Sequence, residues 1–254
     1  MKGRNRVLLG FTLLALSSVW LPPPIPQDPS YHHFADTRTL LGIPNGLNVL
    51  SNLAFVLIGL LGLWILNKRQ HPPLFPVLPY QFFFTGLLLT GWGSAYYHWS
   101  PANQTLIWDR LPMTIAFGSL LSALLAQLVN RKLGLALLFP LIILGIGSVL
   151  YWYWGEMHGS GDLRPYALVQ FYPMLAIPLI VFLYPASQSL RKSILGVILW
   201  YGLAKVFESG DDFIYSFTHF ISGHTLKHLA AAAAILPLIS FLRKKEMPFP
   251  FTAA

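Results

Sequence analysis

The sequence predicts an all-α polytopic membrane protein: a seven-transmembrane-helix bundle with an additional N-terminal hydrophobic segment. Three observations lead there. Of 254 residues, 55% are hydrophobic and only 10% are charged, a balance far from that of water-soluble domains. Beyond residue 44 the apolar residues fall into continuous runs near the ~20 residues a helix needs to cross the hydrocarbon core. The basic residues sit in small groups between those runs, so the formal charge of +8 marks topology and not a nucleic-acid surface. A closed β-barrel would instead show alternating strands of about ten residues.

In chain order, residues 1–21 open with Lys2, Arg4 and Arg6 and continue through an apolar run from Val7 to Leu21, which ends at Pro22, Pro23 and Pro24. A basic start and a short apolar stretch fit a signal peptide. No small-x-small cleavage site follows, which favours an uncleaved anchor or extra transmembrane helix. Residues 22–44 form a proline-rich outer segment holding Asp28, His32, His33, Asp36 and Arg38, too polar to span. Residues 45–242 form the core domain. Its spans are expected at about Leu47 to Leu66, Leu78 to Tyr97, Pro112 to Val129, Leu133 to Trp154, Ala167 to Leu183, Ser193 to Phe207 and His224 to Leu242. The sixth is short and extends through its polar end. Residues 243–254 form a basic cytoplasmic tail.

Orientation follows from lysine and arginine. With the N-terminus inside, Lys68 and Arg69, Arg131 and Lys132, Arg191 and Lys192, and Arg243 to Lys245 face the cytoplasm. With Lys2, Arg4 and Arg6 this places 12 basic residues inside against Arg38, Arg110 and Arg164 outside. Of the nine acidic residues only Glu246 falls inside, and of the eight histidines only His71 does. Both termini are then cytoplasmic, and the chemistry lies near the outer face.

There is no cysteine, which excludes disulfides and thiolate metal sites and leaves His, Asp, Glu, Ser and Asn as reactive groups. The last span begins GHTLKH at Gly223. His224 and His228 are four residues apart and share one helix face, one turn separated. An ionisable pair at membrane depth marks a functional site, the alternative being packing histidines bonded to their neighbours. The stretch GWGSAYYHWSPANQTLIWDRLPM, from Gly91 to Met113, puts Ser94 and His98 one turn apart near the outer end of the second span. It places Asp109 just before the third span, where it also reads as the cap of a helix starting at about Arg110 with Pro112 in its first turn.

Topology brings these five groups to one membrane depth. Three neutral imidazoles with an open fourth position make a hydrolytic zinc arrangement. Asp109 would take or orient the proton of a water, and Ser94 would donate to a developing oxyanion. The plainer alternatives stay open: a serine bonded to its own backbone, an aspartate capping a helix, histidines at headgroup level.

The blocks GWGSAYYH, WDRLPM with its aspartate eleven residues beyond His98, GHTLKH, and NGLNVLSN from Asn45 to Asn52 resemble the alkaline ceramidase family. That family is part of a superfamily of seven-helix membrane hydrolases that includes the adiponectin receptors. The resemblance implies Zn2+ held by His98, His224 and His228, with Ser94 and Asp109 as catalytic helpers. It also implies hydrolysis of a lipid amide: in the ceramidases, ceramide is split into a sphingoid base and a fatty acid. Those enzymes bind calcium through an acidic N-terminal segment and an acid at the position of Asn45. Here an asparagine stands there, and Asp28 and Asp36 lack the matching spacing, so the residues for Ca2+ are missing.

Other polar groups surround this set. Asn45, Asn48 and Asn52 form a stripe at helical spacing that closes hydrogen bonds between helices or tunes the mouth of a site. Lys205 and Glu208 stand three apart as an ion pair, or Glu208, Asp211 and Asp212 hold the lysine beside the metal. Lys227 adjoins His228 where the ceramidases carry a large apolar residue; it either snorkels to the interface or favours an anionic substrate group. Tyr151 to Trp154 read as an interfacial belt. No phosphate loop or nucleophile elbow is present.

The expectation is therefore a zinc-dependent hydrolase of an N-acyl lipid, cleaving an amide or ester in a substrate that enters from the bilayer and releasing a fatty acid. Its rivals are a receptor or sensor whose metal is structural, and a transporter, which the apolar inner halves of the helices disfavour. Head group, acyl length and oligomeric state are not written in the sequence.

Overall fold

The computed structural model describes residues 2–68 and 75–244. Arg69, His71, Lys245 and Glu246, which enter the charge count above, lie outside the described residues, as does the rest of the tail beyond Lys244. Among the described residues every regular element is helical, and the one β contact is a bridge between Leu40 and Ile43.

Helix α1 (Lys2–Ser18) buries none of its own residues. It lies along the helix Arg164–Leu183, where Phe11 stacks on Tyr172 with ring centroids 5.9 Å apart and the Thr12 and Tyr172 hydroxyls are 2.7 Å apart. Residues 22–44 follow as a strap across one end of the bundle. The core then runs through α2 (Gly46–Leu50), α3 (Leu53–Lys68), α4 (Val77–Trp99), α5 (Asn103–Leu124), a π-helical turn at Leu125–Val129, and α6 (Arg131–Met157). It closes with α7 (Arg164–Leu183), α8 (Gln188–Ser209), the short α9 (Asp211–Thr218), α10 (Gly223–Ala233) and α11 (Leu236–Leu242).

Five helical stretches are long and apolar enough to cross a membrane: 46–68, 103–129, 131–157, 164–183 and 223–242. The remaining two expected spans, α4 and α8, have crossing length at 23 and 22 residues. They are less apolar: α8 carries Arg191, Lys192, Lys205 and Glu208, and α4 ends in Ser94, Tyr97 and His98. The last span breaks at Ala234 and Ile235 because Pro237 has no N–H with which to continue the ladder.

Unlike a water-soluble bundle, the helices expose large apolar side chains and also bury many polar ones. Leu57, Leu60, Ile143, Leu175 and Leu199 face outward, while Asn48, Asn52, Thr114, Ser119, Ser122 and Gln127 are buried. In lipid an outward leucine is at no disadvantage, and polar groups must find partners between helices. Close helix approach depends on small residues: a Cβ at Gly86 of α4 would stand 2.7 Å from the Ala116 backbone nitrogen of α5.

Helix α5 corrects one expectation. It begins at Asn103, where the Thr105 hydroxyl accepts from the Ala102 N–H at 3.1 Å, so Asp109 is interior to the helix and caps nothing. Pro112 likewise sits inside the helix. Lacking an N–H, it leaves the carbonyl of Trp108, four residues back, without its helical donor. That carbonyl lies against Gly93 of α4, where any Cβ would overlap it. The proline and the glycine together press α4 onto α5 beside Ser94 and Asp109.

Two apolar clusters result. The larger includes Phe84, Leu121, Leu124, Ile180, Leu238 and Leu242 and fills the bundle away from the strap. The smaller, Tyr97, Leu106, Val149, Trp152 and Tyr166, lies under the strap.

Candidate metal centre

The start of α10 is fixed by two acceptors. The Ser222 hydroxyl accepts from the Thr225 N–H at 3.1 Å, and an Asp211 carboxylate oxygen accepts from the His224 N–H at 2.6 Å, so first-turn donors are satisfied as the helix begins. The i,i+4 spacing then aims His224 and His228 at the last turn of α4, where His98 is 1% exposed.

All three imidazoles converge. Their ring centroids are pairwise 4.8 Å apart, and one ligand atom from each lies within 4.8 Å of the others. The Nε2 atoms of His98 and His224 are 3.3 Å apart. Two nitrogens each about 2.0–2.1 Å from a tetrahedral zinc lie about 3.3 Å from one another, so this separation suits a shared ion.

The tautomer of His228 is set by its neighbour. The Ser51 hydroxyl donates its single proton to the Asn48 carbonyl at 3.0 Å, so at 2.8 Å from His228 Nδ1 it must accept from the ring N–H. That leaves Nε2 of His228 unprotonated and available as a ligand, the arrangement by which a supporting hydrogen bond orients a metal-binding imidazole. Phe34 of the strap covers the group, its ring centroid 4.6 Å from both His98 and His224.

Ser94 and His98 share one face of α4, and Asp109 stands on the neighbouring α5 at the same cavity as Ser94. Ser94, Asp109 and His228 all line a cavity of about 720 Å³. Its far wall is hydrophobic, with Phe83, Leu120, Ile177 and Ala234 among the lining residues.

Glu208, also at the cavity, bridges two lysines: Oε1 lies 2.6 Å from Lys227 Nζ and Oε2 lies 2.6 Å from Lys205 Nζ. Asp211 is occupied elsewhere, accepting from the His224 and Ala35 backbones. The asparagines tie elements together. Asn45 Nδ2 donates to the His98 carbonyl at 2.8 Å, and Asn48 donates to the Asp36 carbonyl at 3.1 Å while accepting from Thr225 Oγ1 at 2.8 Å.

Of the strap carboxylates, Asp28 accepts from the Ser30 N–H, and Asp36 is paired with Arg38 at 2.9 Å, whose hydrogen bonds hold its carboxyl below the usual carboxylate range.

The sequence model of the ceramidase family matches residues 43–242. The chain belongs to the ceramidase family. No individual curated protein matches the sequence. The matched stretch contains all three histidines, Ser94, Asp109 and the lysine pair; α1 and nearly all of the strap precede it.

Within this ceramidase-family core, several residues at the site carried no sequence signal. Phe34 is one, since nothing in the strap distinguishes it from an ordinary aromatic. Ser51 was visible only as part of the NGLNVLSN block. Arg110, counted as an outer-loop charge, is only 5% exposed; its guanidinium lies over Trp152 at 4.2 Å and over Tyr166 at 4.8 Å.

Proposed function

We propose that the chain is a zinc-dependent hydrolase of an N-acyl lipid, cleaving an amide near the outer face of a seven-helix membrane bundle and releasing a fatty acid. The observation that carries this reading is the convergence of three imidazoles, with Ser94 and Asp109 beside them, at the polar end of an otherwise apolar cavity. Family membership supports the reaction type. The sequence resemblance supplies ceramide as the reference substrate.

His98, His224 and His228 would hold the ion. Bound there, zinc would acidify a water and polarise an acyl carbonyl. Asp109, which lines the cavity beside Ser94, accepts a proton at its carboxylate. As the carbonyl oxygen gains charge, the Ser94 hydroxyl is positioned to donate to it. The apolar wall takes the acyl chain, and Phe34 with the strap excludes water from above.

A receptor or sensor with a structural metal would fill the fourth coordination position from the protein. Among the described residues the grouped ligand atoms come from the three histidines alone, and Asp109 is not one of them. This favours an open position and hence turnover.

Metal analysis and fatty-acid release from an N-acyl lipid panel test the proposal. Wild-type protein is expected to carry zinc and release fatty acid; His98→Ala, His224→Ala and His228→Ala should each lose both. Zinc retained by all three variants would overturn it, and zinc without release from any lipid would favour the receptor. The orientation has its own check: a reporter active only in the cytoplasm, fused after Ala254, should work.

A further inference from the structure

The cavity carries more positive charge than the hydrolase reading uses. Three cations line it, Arg110, Lys205 and Lys227, against two carboxylates, Asp109 and Glu208. Glu208 gives one oxygen to each lysine, and no other hydrogen-bond partner is present for either ammonium among the described residues, so donors remain on both. Arg110 has no carboxylate bonded to it. Its Nη2 donates to the neutral Gln27 side chain at 2.6 Å, its Nη1 is buried without a partner, and the rest of the guanidinium lies against Tyr31, Trp152 and Tyr166.

A surplus cation beside an apolar cavity is costly unless something arrives to balance it. Zwitterionic or uncharged head groups would leave it unbalanced. Lys227 precedes His228 on α10 and lines the same cavity, so a group that balances it lies at the same site as the histidines.

We infer that the N-acyl lipid taken by this site bears an anionic group, a carboxylate or a phosphate, close to its amide. Lys227 and Lys205 receive it across Glu208, with the field of Arg110 behind them. This rests on the hydrolase reading and narrows it from lipid amides in general to those with acidic head groups.

Three amides that share a palmitoyl chain and differ only in head group test it: N-palmitoylglycine, phosphorylated N-palmitoylethanolamine and uncharged N-palmitoylethanolamine. Each is titrated against, and then incubated with, purified full-length, zinc-loaded protein in phosphatidylcholine nanodiscs. Because loss of a charged hydrogen-bond partner is involved, the anionic amides should bind about ten- to a hundredfold more tightly than the uncharged one. Lys227→Met should erase that ratio by raising KM for the anions more than it changes kcat, and Lys227→Arg should largely restore it. If Lys227→Met does not fold, Lys205→Met provides the same comparison from the other oxygen of Glu208. Equal binding of all three amides, or preference for the uncharged one, overturns the inference. Preference between the two anions separates carboxylate from phosphate. Tight binding of anions without fatty-acid release sinks the hydrolase reading and leaves the charge selection standing, whereas release from all three amides at equal KM does the reverse.

Discussion

Away from the strap, Phe84, Leu121, Leu124, Ile180, Leu238 and Leu242 pack into one apolar cluster, and a buried polar contact there is the Tyr80 hydroxyl donating to Gln127 at 3.0 Å. At the strap end Asn48, His98, Arg110, Thr225 and His228 are all buried, and the strap itself is held by side chains reaching from α4, α5 and α9. The buried side-chain atoms without partners among the described residues are Asn52 Oδ1, His98 Nδ1, Arg110 Nη1 and Ser119 Oγ. Three of those four belong to residues at the strap end. Packing alone would not choose them, because a buried polar atom without a partner is destabilising. On the proposed hydrolase reading one end serves stability and the other chemistry, and substitutions should separate the two.

The largest separation is expected from Asp109→Asn. The amide keeps the shape of the carboxylate but cannot take a proton, so kcat should fall by about 10²- to 10⁴-fold while zinc content and melting temperature stay near wild type. Equal loss of zinc would instead make Asp109 a ligand and bring the receptor reading back. The converse substitution is Leu124→Ala, in a side chain with no exposed surface. Removing it from the packed cluster should cost roughly 2–5 kcal/mol of stability, with activity per folded molecule unchanged. Denaturation in mixed micelles beside a fatty-acid assay measures both quantities on the same sample.

Ser51→Ala sharpens the comparison from within the site. Its hydroxyl lies 2.8 Å from His228 Nδ1, and Ser51 itself does not line the cavity. Removing a supporting hydrogen bond from a ligand imidazole typically weakens metal binding by about 10- to 100-fold. Chelator competition should therefore show a weaker zinc site, and activity should recover when zinc is added in excess. A loss of activity that excess zinc does not restore would show that Ser51 acts on something other than the ligand.

These residues also mark how far the sequence could be read. Helical class and the broad location of the spans were legible because hydrophobic runs of crossing length have few other uses. The three histidines and Ser94 were legible because an i,i+4 pair on a helix implies a shared face and alternation of spans implies a shared depth. Asp109 stands out in the sequence as a proton-handling carboxylate, with a helix cap as the alternative because Asp followed by Pro at that spacing is a common helix start. The structure instead puts Pro112 inside the helix, tolerated because Gly93 accepts the freed carbonyl from a neighbouring helix. That compensation is long-range and leaves no local signal. Arg110 and Phe34 were missed for the same reason: their roles depend on what packs around them across more than 40 residues of chain.

The smallest expected effect concerns the strap, and it tests whether the strap end can be loosened without touching the metal ligands. His32 Nε2 lies 3.0 Å from Asn103 Oδ1 and its Nδ1 lies 3.0 Å from the Tyr97 hydroxyl. A neutral ring donates from Nε2 to Asn103, while the Tyr97 hydroxyl facing Nδ1 also reaches the Tyr31 carbonyl at 3.3 Å. Burial is the main reason that the pKa of His32 lies below its usual 6.5, and the charges of Arg110 and His33 act in the same direction. A histidine whose folded pKa is depressed stabilises the docked strap above its free value, and that stabilisation is lost as pH falls through 6.5, because the released strap takes up the proton first. Asp36 does not confuse the reading: Arg38 lowers its pKa from 3.8, so its contribution is lost only in a more acidic window. The expected result is lower hydrogen-exchange protection of residues 22–44, each rate being divided by its intrinsic rate at that pH, just below pH 6.5 than just above it, with zinc content unchanged. His32→Gln, which keeps a donor toward Asn103 and cannot titrate, should remove that difference. If protection in the variant still falls with acidification, the strap is released by another group.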